Sequence, residues 1–459
     1  MGQLTEPGHR PPPRGFGPTL LMMGPGIVLA GGVVGSGELI NTPIQAAQFG
    51  VVLLWAVILS CLIKYFLQVE IGRHCIVHDR TVFEALNLVP GPKLSGASWF
   101  VLLFMGAWTI AQVGSAGILG TIAGILNSVV PLPFADPTHS VRVWAVALVL
   151  VAQLILWRGV YQNLEKVIIA LVVGFSACVL IALVLLQRSE FAITGDDLVT
   201  GLSFSLGETQ TQLAAYAVIT LIGALGVSGM ELLVYPYWVR EKGYARFVGS
   251  SETAGWVDRA HGWVRMLRVD AAVATLLATV ITTAFFLLGA AILFRQGSVP
   301  QGEAVVDQMS GMFTETYGPW SRSIFLFGAF CTLFSTLLTA TAANGRLYSD
   351  LWCSLGVVER GKPESWRRSI RVMQSIFLFS ILVIFLGLPE RPEELVILSH
   401  YIIGLIGTPF AILGGCWLAF KTDRRVRMGR LTTVCLVLSV VVILVCLAIG
   451  FAEKSGWLG

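Results

Sequence analysis

Three ionisable side chains sit inside stretches that are otherwise apolar: Glu38 in GGVVGSGELI (residues 31–40), Lys64 in SCLIKYFLQ and Glu231 in GALGVSGMELL (residues 223–233). A charge in hydrocarbon is costly, so each needs a partner or a task. Glu38 and Glu231 can receive a substrate ammonium, titrate as proton sites, or cap a restarted helix. Lys64 is too deep to snorkel, and its simplest accommodation is a buried ion pair with a carboxylate; standing in for a coupling ion is the sharper alternative. Next to each glutamate is a Ser-Gly pair, Ser36-Gly37 and Ser228-Gly229. An unwound helix in lipid is tolerable only where its backbone lines a cavity or meets a ligand. Gly35, Ser36, Gly37, Ser228 and Gly229 are therefore expected to form a main-chain binding surface.

These residues belong to a chain built for lipid. Of its 459 residues, 55% are hydrophobic and 13% charged, with a mean hydropathy of +0.77, too apolar for a water-soluble domain. Apolar windows predict eleven spans near 20–49, 51–75, 97–128, 142–157, 164–187, 213–239, 269–294, 321–345, 370–388, 394–420 and 430–452. Residues 1–18, with three consecutive prolines, are expected to be a disordered cytoplasmic tail. Residues 19–452 would form one transporter domain and 453–459 an external tail.

Most of the 31 basic residues fall in alternate connections, notably Arg240–Arg268, Arg346–Arg371 and Lys421–Arg430. The positive-inside rule then puts the N-terminus in the cytoplasm and the C-terminus outside a plasma (inner) membrane. The net charge of +4 reflects this bias and gives no reason to invoke nucleic acid. The basic, aromatic segment 240–268 is expected to lie at the headgroup level. The eight cysteines have no spacing suited to a metal and read as packing residues. No HExxH, GxSxG or P-loop is present, so the chain is not expected to be an enzyme, and no cofactor is implied.

The first and sixth spans carry the same device five spans apart, so the two copies cross the membrane in opposite directions. That is the pattern of inverted-repeat transporters with discontinuous helices. The fold class is thus all-α membrane protein, with eleven transmembrane helices and an inverted 5+5 repeat in which helices 1 and 6 are broken at the midplane. Repeat one covers about 19–187, repeat two about 213–420, and an extra helix follows at 430–452.

The stretch GPGIVLAGGVVGSGELINTPIQAAQFGVVLLWAVILS resembles the first two spans of the NRAMP family of divalent metal transporters, and RGVYQNLEKVIIALVV its fourth-to-fifth connection. IGA at 222–224, FST at 334–336 and SHYIIGLIGTPF at 399–410 extend the resemblance over nearly the whole chain. It implies the leucine-transporter fold. The family's Asp-Pro-Gly-Asn motif is replaced by Gly35, Ser36, Gly37 and Glu38, and its Ala-x-x-Met-Pro-His by Ala224, Leu225, Gly226, Val227, Ser228 and Gly229. The methionine thioether that favours transition metals is therefore a valine. Thr109 and Gln112 stand where the family has acidic residues on helix 3, and His400 where it has a glutamine on helix 10. Gly-Ser-Gly and Gly-x-Glu (Gly229, Met230, Glu231) are similar instead to amino acid transporters of the wider amino acid, polyamine and organocation superfamily.

From these replacements the leading expectation is a secondary transporter of a small zwitterionic solute, a neutral or polar amino acid, working by alternating access. Its carboxylate would rest on Gly35, Ser36 and Gly37, and its ammonium would meet the helix 6 break (Ala224, Val227, Ser228, Gly229) or Glu38 or Glu231. Thr109, Gln112 and His400 would contact its side chain. The alternative is an NRAMP-type divalent metal transporter of altered selectivity, with Glu38 and the Ala224 carbonyl holding a partly hydrated Mg2+. Coupling to protons, to sodium or to neither stays open, and the hydroxyls of Ser335, Thr336 and Thr339 are expected to bond back to their own helix.

Overall fold

The computed structural model describes residues 10–13, 15–22, 35–134, 136–158, 161–207, 211–228, 231–302, 305–359, 362–388 and 391–454. Helix dominates, because a segment in hydrocarbon satisfies its backbone most simply within itself. A π-helical turn, Gly37–Asn41, leads into α1 (Thr42–Phe49), followed by α2 (Leu54–Leu62), α3 (Tyr65–His78), α4 (Trp99–Ala111), α5 (Val113–Val129), α6 (Pro137–Arg158) and α7 (Tyr161–Leu186). Then come α8 (Thr211–Ala224), α9 (Tyr235–Glu241), α10 (Trp256–Leu288), α11 (Ser321–Ser354), α12 (Pro363–Gly387), α13 (Pro392–Ile402), α14 (Thr408–Lys421) and α15 (Arg430–Lys454). A two-residue β-ladder pairs Lys93 with Ser98.

Among the described residues, eight helical stretches are long and apolar enough to cross a membrane, and Ala170–Leu186 and Gln212–Ala224 are shorter apolar helices. The protein is a mostly helical, membrane-embedded chain. The boundary expected at residue 50 is a sharp turn at Gly50, with φ +60°, inside one helical run from Gly37 to His78.

Small residues set how closely the central helices approach. Gly117 on α5 lies against α13, where an added Cβ would stand 2.3 Å from the Pro392 carbonyl oxygen. Gly223 on α8 meets α13 from the other side, with the same virtual atom 2.0 Å from the His400 carbonyl oxygen. Close backbone contact of this kind drives helix association where lipid removes the hydrophobic incentive. It wedges α13 between α5 and α8. On the periphery, α15 packs against α8 through Leu436, Ile443 and Leu447 and turns Val434, Leu438 and Val441 outward, an apolar stripe suited to lipid.

The segment expected at the headgroup level folds differently. Trp256 and Trp263 are buried and belong to α10, whose 33 residues extend well beyond the expected span. Its aromatic face meets protein and not lipid. Trp263 Nε1 donates to the Arg10 carbonyl at 2.9 Å, and the Arg10 guanidinium lies over the Phe247 ring, so this part of the expected N-terminal tail is docked on the helices.

Candidate substrate cavity

α8 stops at Ala224. The Leu225 N–H still reaches the Leu221 carbonyl at 2.9 Å, but Gly226 turns to φ +67° and the chain runs non-helically to Ser228 before a helical turn at Glu231–Leu233 and then α9. Glycine is needed twice over at position 226. Its positive φ is unfavourable for other residues, and a Cβ there would lie 2.9 Å from Cys61 Cα on α2. The restart is capped reciprocally: the Ser228 N–H donates to Glu231 Oε2 at 3.0 Å, and the Glu231 N–H donates to Ser228 Oγ at 3.3 Å.

The other glutamate does the same work. The Gly35 N–H donates to Glu38 Oε2 at 3.0 Å, where the π-helical turn begins at Gly37. Thr282 Oγ1 on α10 donates to Glu38 Oε1 at 3.3 Å. Of the roles open to these carboxylates, both perform the capping role, and both also face the same space.

That space is a cavity with about 120 Å³ open to the centres of water molecules. The chain at the π-helical turn lines it with Gly35, Ser36, Gly37 and Glu38, and the break after α8 with Ala224, Gly226, Ser228 and Glu231. Gln112 and Ser115 enter at the joint of α4 and α5, Thr336, Thr339 and Asn344 from α11, and Ser399 and His400 from α13. The wall between α4 and α11 is a neutral hydrogen-bond chain. Trp108 Nε1 donates to Asn344 Oδ1 at 2.6 Å, Asn344 Nδ2 to Gln112 Oε1 at 3.2 Å, and Ser115 Oγ to the same Gln112 oxygen at 3.2 Å.

Most of the expected site residues thus converge, and three do not. Thr109 is exposed and its hydroxyl is engaged with the Met105 carbonyl and the Tyr348 hydroxyl. Val227 is buried outside the cavity lining, and Gly229 lies outside the described residues. Asn344 and Trp108 went unnoticed in the sequence; the one available signal was an amide in the apolar run TATAANGR. Thr336 Oγ1 bonds back to the Thr332 carbonyl at 3.0 Å, as expected of a helical hydroxyl.

His400 is buried and lines the cavity, and its Nδ1 has no hydrogen-bond partner among the described residues. Lys64 departs from expectation. It is fully buried, but its Nζ donates to the Leu225 carbonyl at 2.6 Å, and no carboxylate lies within ion-pair distance among the described residues. The break after α8 leaves a carbonyl for the ammonium to bind.

Comparison with known proteins bears on the cargo. The divalent metal cation transporter MntH of Brucella suis is 24% identical over 418 residues, covering 91% of this chain and 83% of the relative. Its namesake in Bradyrhizobium diazoefficiens is 23% identical over 416 residues, covering 90% and 83%. Among solved structures, a manganese transporter from Eremococcus coleocola superposes with a TM-score of 0.65 at 17% identity, covering 98% of this chain and 91% of the other. MhsT in complex with L-phenylalanine superposes at 0.55 with 14% identity, covering 94% and 98%. The leucine-transporter-like fold is therefore shared with a manganese transporter and with a protein solved in complex with L-phenylalanine, and does not by itself choose a cargo.

The sequence relatives are named divalent metal cation transporters, and this overturns the amino acid expectation, both as the transported solute and as the small-molecule partner. The geometry supplies the reason: the Gly35 N–H that was to receive a substrate carboxylate is already held by the carboxylate of Glu38. The site resembles an acidic cavity more than a bare backbone cradle. Residues 26–453 match the family model described as natural resistance-associated macrophage protein-like, and the chain belongs to that NRAMP family of membrane transporters.

Proposed function

We propose that this protein carries a divalent metal cation across the plasma (inner) membrane by alternating access, and that it takes the ion partly hydrated, with Mg2+ as the type cargo. The observation that carries the reading is that Glu38 and Glu231, one on each interrupted span, face a single cavity. The remaining lining favours a hard cation. It offers the Ala224 carbonyl and the Ser228 and Thr336 hydroxyls, and the described lining residues include neither Met nor Cys. One water needs on the order of 10–15 Å³ of such space, so a cavity of about 120 Å³ accommodates an ion with several waters. The described residues hold no group of three His, Cys, Asp or Glu, which suits an ion that keeps part of its own shell.

In this reading the chain has eleven transmembrane helices, ten of them in an inverted repeat, with the N-terminus cytoplasmic and the C-terminus external. The paired caps Gly35–Glu38 and Ser228–Glu231 support the repeat, since each joins an N–H to the carboxylate three residues on. Trp108, Asn344, Gln112 and Ser115, the hydrogen-bonded chain in the cavity wall, are all non-titratable. Transport of Mg2+ and Mn2+ into proteoliposomes, with separate pH and sodium gradients, is the direct test. Saturable uptake of at least one of them is expected, and none for any divalent cation would overturn the proposal.

A second reading rests on His400. An imidazole nitrogen in the cavity with no partner among the described residues is a donor better suited to borderline transition metals. Bound Co2+ distinguishes the two, because direct nitrogen ligation alters its visible absorption and contact through water does not.

A further inference from the structure

The most unusual group in the membrane interior is Lys64. Its side chain is fully buried, and it sits at the irregular joint between α2 and α3. Three residues earlier, the backbone of Cys61 abuts Gly226 so closely that no Cβ fits between them. The joint in the second span and the break in the sixth are thus pressed together, and the ammonium is held at 2.6 Å on the Leu225 carbonyl, one residue beyond the cavity-lining Ala224. Cys61, Glu231 and Glu38 all interact with it electrostatically, and the last two are the carboxylates that face the cavity.

A tether of this kind has an electrostatic consequence. Two carboxylates beside a cavity in a low-dielectric interior would bind a divalent cation strongly, and a carrier must also release its cargo. A fixed positive charge behind the cavity wall offsets part of that attraction without occupying the cavity, since Lys64 is not among the lining residues. The groups bonded to Glu38 itself, the Gly35 N–H and the Thr282 hydroxyl, are neutral, and the ammonium lies at the break that follows α8.

We infer that Lys64 is a built-in cation that sets the affinity of the cavity for its divalent cargo, keeping binding weak enough for release. This rests on the cation-transport reading above. Hydrogen bonding to Leu225 fixes the ammonium in place, and its charge acts through space on whatever cation enters between Glu38 and Glu231.

The test is calorimetric titration of the purified full-length protein with MgCl2 and MnCl2 for wild type, K64Q, K64M and K64R, with turnover measured in proteoliposomes. K64Q keeps a donor for the Leu225 carbonyl and removes the charge. It should bind the cation about tenfold more tightly or better, with KM and kcat falling together as release slows. K64R should stay near wild type. If K64M fails to fold, K64Q carries the comparison, its folding judged by an unchanged melting transition. Wild-type affinity in folded K64Q would overturn the inference and leave cation transport standing. Absence of divalent cation binding in every protein, wild type included, would overturn both.

Discussion

The carboxylate of Glu38 accepts the N–H of Gly35, three residues before it, at 3.0 Å. Glu231 repeats the relation with the N–H of Ser228 at the same distance. One carboxylate oxygen of each glutamate therefore stabilises a helix start, while the side chain as a whole faces the cavity. The same residue ends the exposed backbone and supplies the charge.

Glu38→Gln and Glu231→Gln separate these two duties. A glutamine amide oxygen can still accept at the cap position, so each variant should lose less than about 1 kcal/mol of stability. Each should weaken divalent cation binding by at least about tenfold, because a negative charge is removed from beside the cargo. Melting curves and calorimetry on the same samples check both. Unaltered affinity in Glu38→Gln would remove it from the site.

His400→Leu should weaken cation binding about threefold to tenfold, the worth of one hydrogen bond from a cation-bound water. His400→Gln, which keeps an acceptor, should recover most of that loss. Titration of the two variants side by side is the measurement, and equal affinities would take His400 out of cargo recognition.

Gly226→Ala should be poorly tolerated. It places a Cβ at φ +67° against the Cys61 backbone, at a cost of at least about 1–3 kcal/mol for the strained conformation alone. Gly→Ala at Gly174, where a Cβ meets nothing within 4 Å, is the control and should leave the melting temperature nearly unchanged.

Asn344→Leu should destabilise the protein by about 1–3 kcal/mol, because the Trp108 N–H would be left buried without an acceptor. Pairing it with Trp108→Phe should recover part of the loss, a coupling that a double-mutant thermal analysis would reveal.

Outside the membrane, Asp197 caps the short helix Gly195–Gly201, and the Thr194 N–H, together with the Thr194 hydroxyl and Arg295, holds its carboxyl below the ordinary aspartate value of 3.8. A depressed carboxyl contributes stability above its unfolded value and loses it as pH falls through the folded one. Hydrogen exchange in this helix should therefore accelerate below about pH 4, and in Asp197→Asn the acceleration should be absent.

Much was legible in the linear sequence. Lipid requires long apolar helices, so the spans announce themselves, and glycine with serine inside such a run marks where helix gives way. Family membership followed from the same stretches, and Glu38, Glu231, Gln112 and His400, singled out there, all line the cavity. What sequence could not supply was the partner of each group. Glu38 turned back on the Gly35 N–H, closing the backbone cradle that had suggested an amino acid. Lys64 met a carbonyl 161 residues away where an ion pair was expected, and Asn344 joined Trp108 across 236 residues. Spacing along a chain determines which groups must leave the hydrocarbon or be satisfied within it. Which atom satisfies each one is decided when the helices pack, because a hydrogen bond depends on distance and direction in three dimensions, and these are set by the close glycine contacts between segments remote in sequence.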